Sequence, residues 1–208
     1  MTRLIIIRHA ESAFNLQGRI QGHLDSALTP KGVRQACALA KRIFKKFKVD
    51  KIYSSDLGRA YSTTLHIVKH TRLPIVPDTK LREINLGAWE GMTPEEVDRL
   101  YDKGFQRWLK GPSKCRIPRC EGVAAFRRRI VGRVESIARA NRGKTVLIVT
   151  HGGAITSLLA EWLKADFDTL LLNLQIDNTS LTIAEATDKK VRLMTVNDAT
   201  HLSPRGSR

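Results

Sequence analysis

The sequence predicts an α/β fold of three layers, α/β/α, with a mostly parallel central sheet and a small helical cap insertion, on three observations. Short apolar runs at Leu4 to Ile7, Lys51 to Tyr53, Pro74 to Val76 and Thr145 to Val149 read as strands. Helical patterns separate most of these runs, and alternation of that kind implies parallel strands joined by crossover helices. Between the third and fourth runs, residues 92–141 break rhythm at Gly111-Pro112 and Ile117-Pro118, which predicts the cap.

Each element has a local cause. Thr29-Pro30 offers an N-cap followed by proline in the first turn, and Val33, Ala36, Leu39, Ala40, Ile43 and Phe47 then recur at helical spacing. The next helix runs from about Leu57 to Lys69. Within 92–141, Thr93-Pro94-Glu95-Glu96 opens a helix, and a second helical pattern spans Gly122 to Ala140. A last helix starts near Gly153 with Ile155, Leu158, Leu159 and Leu163 on its apolar face. Thr179 to Ala186 and Lys190 to Val196 flank Asp188-Lys189 and read as a hairpin at the sheet margin. Residues 203–208 read as a basic tail.

The chain has 208 residues, which suits a single domain spanning 1–208 with 92–141 as its cap. Apolar residues at 42% and charged residues at 27% are ordinary for a soluble globular protein. The first apolar run is too short for a secretory signal and no segment approaches membrane-span length, so a cytoplasmic protein is expected. Cys37, Cys115 and Cys120 make an odd count without metal-ligand spacing, so free thiols are expected. A net charge of +16 favours anionic partners, but the basic residues are scattered through helices without a nucleic-acid-binding pattern. They read mainly as solvated faces, with nucleic acid not the expected partner.

Ligands of open α/β sheets bind beyond the carboxyl ends of the strands. Arg8 and His9 follow the first predicted strand, Ser54-Ser55 and then Arg59 the second, Glu83 the third, and His151-Gly152-Gly153 the fourth. Taken singly, each has an ordinary explanation, such as an exposed helix cation, a surface carboxylate or a helix cap. Taken together, two histidines, two arginines and a carboxylate at successive strand ends point to phosphate chemistry. An imidazole nitrogen can accept a phosphoryl group, and a guanidinium presents paired donors that match phosphate oxygens and never deprotonate.

The blocks in which these residues sit also carry a resemblance. Residues 4–15 (Leu-Ile-Ile-Ile-Arg-His-Ala-Glu-Ser-Ala-Phe-Asn), 18–25 (Gly-Arg-Ile-Gln-Gly-His-Leu-Asp), 28–36, 53–60, 81–91 and Thr150-His-Gly-Gly153 resemble, in order and spacing, the histidine phosphatase superfamily in its phosphoglycerate-mutase-like branch. Within it the chain is similar to the short α-ribazole and broad-specificity phosphatase type. The resemblance implies a phosphomonoester hydrolase acting through a phosphohistidine on a small phosphorylated metabolite. It implies His9 as phosphoryl acceptor, Glu83 as general acid and base, and Arg8, Arg59 and His151 as the charge clamp. Asn15, Gln21 and Gly152 join the phosphate contacts on the same basis. No metal or cofactor is implied, because the clamp supplies the charge stabilisation a divalent ion would bring.

Two alternatives remain open: a cofactor-dependent phosphoglycerate mutase-type phosphotransferase, and a catalytically retired basic binding module. The stretch from Gly91 to His151 shows no basic, proline-rich insertion of the mutase kind, which favours water as the final acceptor. A monomer or a homodimer fits the composition equally. In the cap, Trp89, Met92, Tyr101, Phe105 and Trp108 are candidates for an apolar wall, with packing of the cap itself the expected role for several of the aromatics, and Arg116 or Arg119 are candidates for contact with a second anionic group. The chain departs from the common family pattern at Ala10, Ser12 and Thr156, the last standing where an arginine often follows the Gly-Gly turn, and around Cys120-Glu121-Gly122.

Overall fold

The computed structural model describes residues 1–69 and 71–202; the basic tail lies outside the described residues. Six strands form one sheet in the order β3-β2-β4-β1-β5-β6. These are β1 (Thr2–Arg8), β2 (Lys51–Ser54), β3 (Ile75–Pro77), β4 (Thr145–Thr150), β5 (Leu181–Ala186) and β6 (Val191–Asp198). The four strands from β3 to β1 run parallel, whereas β5 and β6 are antiparallel additions at one margin, where the sequence placed the hairpin.

Every apolar residue of β1 has a destination. Leu4 and Ile6 share one face with Val146 and Ile148 of β4. Ile5 and Ile7 share the other with Ile52, Leu147 and Val149. A strand buried on both faces must be apolar throughout rather than alternating, which is why β1 and β4 read as unbroken runs. The first face is covered by α6 (Val123–Ala140) and α7 (Gly152–Leu163), the second by α2 (Pro30–Lys46) and α3 (Gly58–Val68). This makes the three layers.

The helix starts follow their local signals. The Thr29 hydroxyl accepts from Gly32 N at 2.9 Å with Pro30 in the first turn of α2. Thr93 and Glu96 form a reciprocal capping box at the start of α4 (Pro94–Leu100), the Thr93 N–H donating to Glu96 at 2.8 Å. The remaining helices are α1 (Ala13–Leu16), α5 (Gly104–Lys110) and α8 (Phe167–Asn173).

Two expectations need correction. The cap assigned to 92–141 is not one unit, because α6 buries Phe126, Ile130, Val134 and Ile137 against β1 and β4 and is a layer helix of the sheet. Its buried residues recur at helical spacing over the length of the helix, and a stripe of that length requires a large apolar partner, which the sheet provides. The inserted part is therefore 92–122, with α4 and α5 packed on each other. Leu163, expected on the apolar face of α7, is 55% exposed. It is the last residue of α7, and the chain turns at Lys164 in the left-handed region (φ 54°), beyond the edge of the core.

Among the described residues, no helix is long and apolar enough to cross a membrane. Cys37, Cys115 and Cys120 are free.

Candidate active site

Strand register brings the site together. Arg8 pairs with Thr150 across β1 and β4, and the His9 N–H continues the ladder to the Thr150 carbonyl at 2.9 Å. Ser54 pairs with Val149, and the Ser55 N–H bonds the Val149 carbonyl at 2.9 Å. His9, Ser55 and His151 thus leave three adjacent strands at the same level. Glu83 arrives by a longer route, on the loop after β3, which the Thr150 hydroxyl fastens by donating to the Leu81 carbonyl at 2.7 Å.

His9 is 3% exposed, and its Nδ1 lies 2.8 Å from the Ala10 carbonyl. A carbonyl only accepts, so Nδ1 carries the proton and a neutral ring keeps its lone pair on Nε2. Burial pushes the His9 value well below the usual histidine range, and the Arg59 and Arg8 charges push it further. His151 is fully buried, its ring centroid 5.2 Å from that of His9 and its plane tilted by 60°. Its Nε2 lies 2.8 Å from the Ser55 hydroxyl, and its Nδ1 is buried without a partner. Burial also lowers this ring well below the usual range, helped by Arg59.

The two guanidiniums are held by backbone carbonyls. Arg59, 1% exposed, donates through Nη2 to Gly22 O at 2.8 Å and through Nη1 to Leu24 O at 2.8 Å and Asp25 at 3.0 Å. Arg8 donates through Nη1 to the Ile176 carbonyl. Burial lowers both arginine values while Glu83 raises them, and both remain charged. The Nε of each is buried without a partner. Glu83 accepts from Ile84 N at 2.9 Å and from Gly153 N at 3.0 Å, at the amino end of α7.

Arg8, His9, Gln21, Arg59, Glu83, Gly152 and Gly153 line one cavity of about 400 Å³. A larger cavity of about 500 Å³ lies at the other end of β1, bounded by Met1, Arg142, Trp162 and Lys190. Volume alone favours that one, but it gathers no nucleophile beside buried cations, so chemistry selects the smaller. Among the described residues, no group of three His, Cys, Asp or Glu is arranged to hold a metal ion.

The sequence-predicted residues fall into three groups. Arg8, His9, Gln21, Arg59, Glu83 and Gly152 meet at the cavity, and His151 packs against His9. Asn15 lies outside that lining; its Oδ1 accepts from Ser12 N at 3.2 Å in the capping box of α1. Among the cap candidates only Trp108 reaches the cavity. Trp89 is buried near Tyr101, Phe105 stacks on Trp108 at 5.5 Å, and Arg116 and Arg119 are exposed. Met92 is also outside the lining. Short cap helices need their own small core, and these aromatics supply it. Sequence reasoning gave no role to Asp25, whose carboxylate also accepts from Arg59 N at 3.3 Å, or to Ser55 as the partner of His151. The strand-end position of Ser55 was visible in the sequence; its partner was not.

Gly153 has a specific reason to be glycine. A Cβ there would stand 2.6 Å from Glu83 Oε1, so the carboxylate would have to move. Gly153→Ala is expected to leave stability within about 1 kcal/mol, since alanine favours helix. It should lower kcat by at least about tenfold through misplacement of Glu83. Denaturant unfolding beside steady-state kinetics checks both, and unchanged kcat would contradict the assignment.

The buried neutral imidazoles also tie stability to pH. The unfolded chain binds protons on these histidines below about pH 6.5, and the folded chain resists. Stability is therefore full above that value and falls as pH drops, by up to about 1.4 kcal/mol per pH unit for each histidine. His201, beside Arg42, is pushed down to about 4 by its burial and adds to the slope. Urea unfolding at pH 7.5 and 5.0 is expected to show the loss; equal stability at both would refute it.

A family model for the histidine phosphatase superfamily (branch 1) matches residues 4–199. Phosphoserine phosphatase 1 of Hydrogenobacter thermophilus is 32% identical over 202 residues, covering 97% of this chain and 95% of that protein. The solved structure of Bacillus stearothermophilus YhfR superposes with a TM-score of 0.91 at 33% identity, covering 98% of this chain and all of the other. Phosphoserine phosphatase from Entamoeba histolytica, solved in complex with 3-phosphoglyceric acid, gives a TM-score of 0.85 at 32% identity, with 98% and 100% covered. Strand order, cavity and end-to-end similarity agree, and the chain belongs to the histidine phosphatase superfamily.

Proposed function

We propose that the protein is a metal-independent phosphomonoester hydrolase that passes the phosphoryl group of a small metabolite through His9. The observation that carries this is the buried His9 ring, tied at Nδ1 and flanked by the buried Arg59 and the half-buried Arg8. Nε2 of neutral His9 attacks phosphorus, and the P–O bond to the alcohol breaks. Glu83 in its acid form gives its proton to the departing alkoxide. The resulting Glu83 carboxylate then takes a proton from water, which attacks the phosphohistidine; the P–N bond breaks and His9 leaves neutral. Arg8, Arg59, His151 and the α7 amides surround the phosphoryl oxygens, stabilising charge by position. Gln21 completes the phosphate contacts in this proposal, and Asn15, outside the lining, is left without that role.

Water is the better acceptor than a second substrate oxygen. Among the described residues the cavity's cations are Arg8 and Arg59, and assigning both to one phosphate leaves none to hold the second phosphate a mutase requires. A retired binding module has no physical need of a neutral nucleophile beside the guanidiniums of Arg8 and buried Arg59. The free thiols support a cytoplasmic setting.

The test is phosphate release from alkyl and nitrophenyl phosphates, with and without exhaustive chelation, by wild type and Glu83→Gln. Full activity after chelation is expected, together with an alkaline-stable, acid-labile phosphoprotein. Glu83→Gln should slow the alkyl substrate by about 10²- to 10³-fold, the scale of general acid catalysis, and nitrophenyl phosphate much less, because nitrophenolate leaves without a proton. Equal losses would remove Glu83 from the acid role. Activity lost on chelation and restored by metal would remove the metal-independent mechanism.

A further inference from the structure

Beyond the phosphate cradle the cavity is walled by Ile84 and Leu86 of the Glu83 loop, Trp108 of α5, Phe167 and Leu171 of α8, and Leu174 just after it. Among the described residues its charged lining is Arg8, Arg59 and Glu83, all three assigned in the proposed reaction to the phosphate and its leaving oxygen. The polar remainder is small. The Thr156 hydroxyl donates to Gly152 O at 3.1 Å within its own helix, Gln21 Oε1 accepts from the Ser12 hydroxyl at 2.9 Å, and Gln175 Nε2 donates to Asp177 at 2.5 Å. Arg127 stacks over the Phe167 ring at 5.3 Å and does not line the cavity, while Arg116 and Arg119 are exposed outside it. A leaving group carrying its own carboxylate, with or without an ammonium, would lose water here without gaining an ion partner. Burial of an unpaired charge is strongly unfavourable, whereas an apolar group gains with every Å² it covers.

We infer that the alcohol portion of the substrate is apolar, an aryl or bulky alkyl group seated against Trp108, Leu171 and Phe167. This rests on the phosphatase reading and names its substrate class. Phosphate esters of amino acids and hydroxy acids are then poor substrates, even though phosphoserine is named for relatives of this chain. Specificity is set by the loop of Glu83 and by α5 and α8, with Thr156 giving no cation at the position from which α7 faces the cavity.

The experiment compares benzyl phosphate with O-phospho-L-serine by inorganic phosphate release from the intact protein. Both leave as primary alkoxides, and benzyl alcohol is the weaker acid, so a preference for it reports the wall rather than the leaving group. The kcat/KM for benzyl phosphate is expected to exceed that for phosphoserine by at least about tenfold, the scale of seating an apolar group in such a pocket. Trp108→Ala and, independently, Leu171→Ala should each raise KM for benzyl phosphate about 3- to 10-fold with kcat little changed, the signature of lost uniform binding. Phosphoserine turned over as well as benzyl phosphate or better, with hydrolysis intact, would overturn the inference and leave the phosphatase reading standing. No hydrolysis of either ester and no phosphorylated His9 would overturn both.

Discussion

Replacing His9 by alanine is expected to abolish turnover, with kcat falling on the order of 10⁴-fold or more, as when a covalent nucleophile is removed. The phosphate cradle should survive. Arg8 and Arg59 are held by the carbonyls of Ile176, Gly22 and Leu24, none of which involves the His9 ring. Inorganic phosphate binding is therefore expected to stay within about tenfold of wild type while the phosphoprotein disappears, the pattern of an interaction used in the transition state rather than the ground state. Calorimetry with phosphate and acid-quench labelling measure the two halves. Residual turnover within tenfold of wild type would end the role of His9.

Arg59→Ala should produce the second large effect, and a double one. The side chain is buried, and its donors close the turn from Gly22 to Asp25 onto the start of α3. Removing it strands the carbonyls of Gly22 and Leu24, while the Asp25 carboxylate, 38% exposed, keeps its bonds from Gly58 N and Arg59 N, for a loss of about 2–4 kcal/mol in stability. It also removes one of two cations from the developing phosphoryl charge, for roughly 10²- to 10³-fold in kcat. Arg59→Lys separates these. Lysine keeps the charge but not the planar fork, so part of the rate should return while the carbonyl bonds and most of the stability do not. Denaturant midpoints with kcat for both variants test this, and a stable, fully active Arg59→Ala would contradict the cradle.

The charge of the chain is absorbed differently from the way composition suggests. Arg42 pairs with Asp198, Arg82 with Asp56 and Arg133 with Asp78, each joining segments far apart in sequence, and Arg129 pairs with Glu121 just before α6. Arg129 also donates to the carbonyls of Lys80, Arg82 and Glu83, and so braces the loop that carries the carboxylate. Glu121, which matched no family block, belongs to that brace through Arg129 and Asn85. A scatter of basic residues thus includes a working set of cross-links as well as solvated faces.

What the sequence determined alone is local. Runs such as Leu4 to Ile7 and Thr145 to Val149 must be buried on both faces, Thr29-Pro30 and Thr93 with Glu96 must start helices, and the residues beyond the strands must lie at one margin. These follow from period, capping and backbone direction, each decided within a few residues. The tertiary structure alone decided that Ser55 meets His151, that α6 covers the sheet rather than the cap, and that apolar side chains wall the cavity. Those outcomes depend on contacts between segments 50 to 170 residues apart, such as Arg8 with Ile176 or Ser55 with His151. Short-range pattern carries no record of such partners, because hydrogen bonding and close packing are settled only when the layers meet.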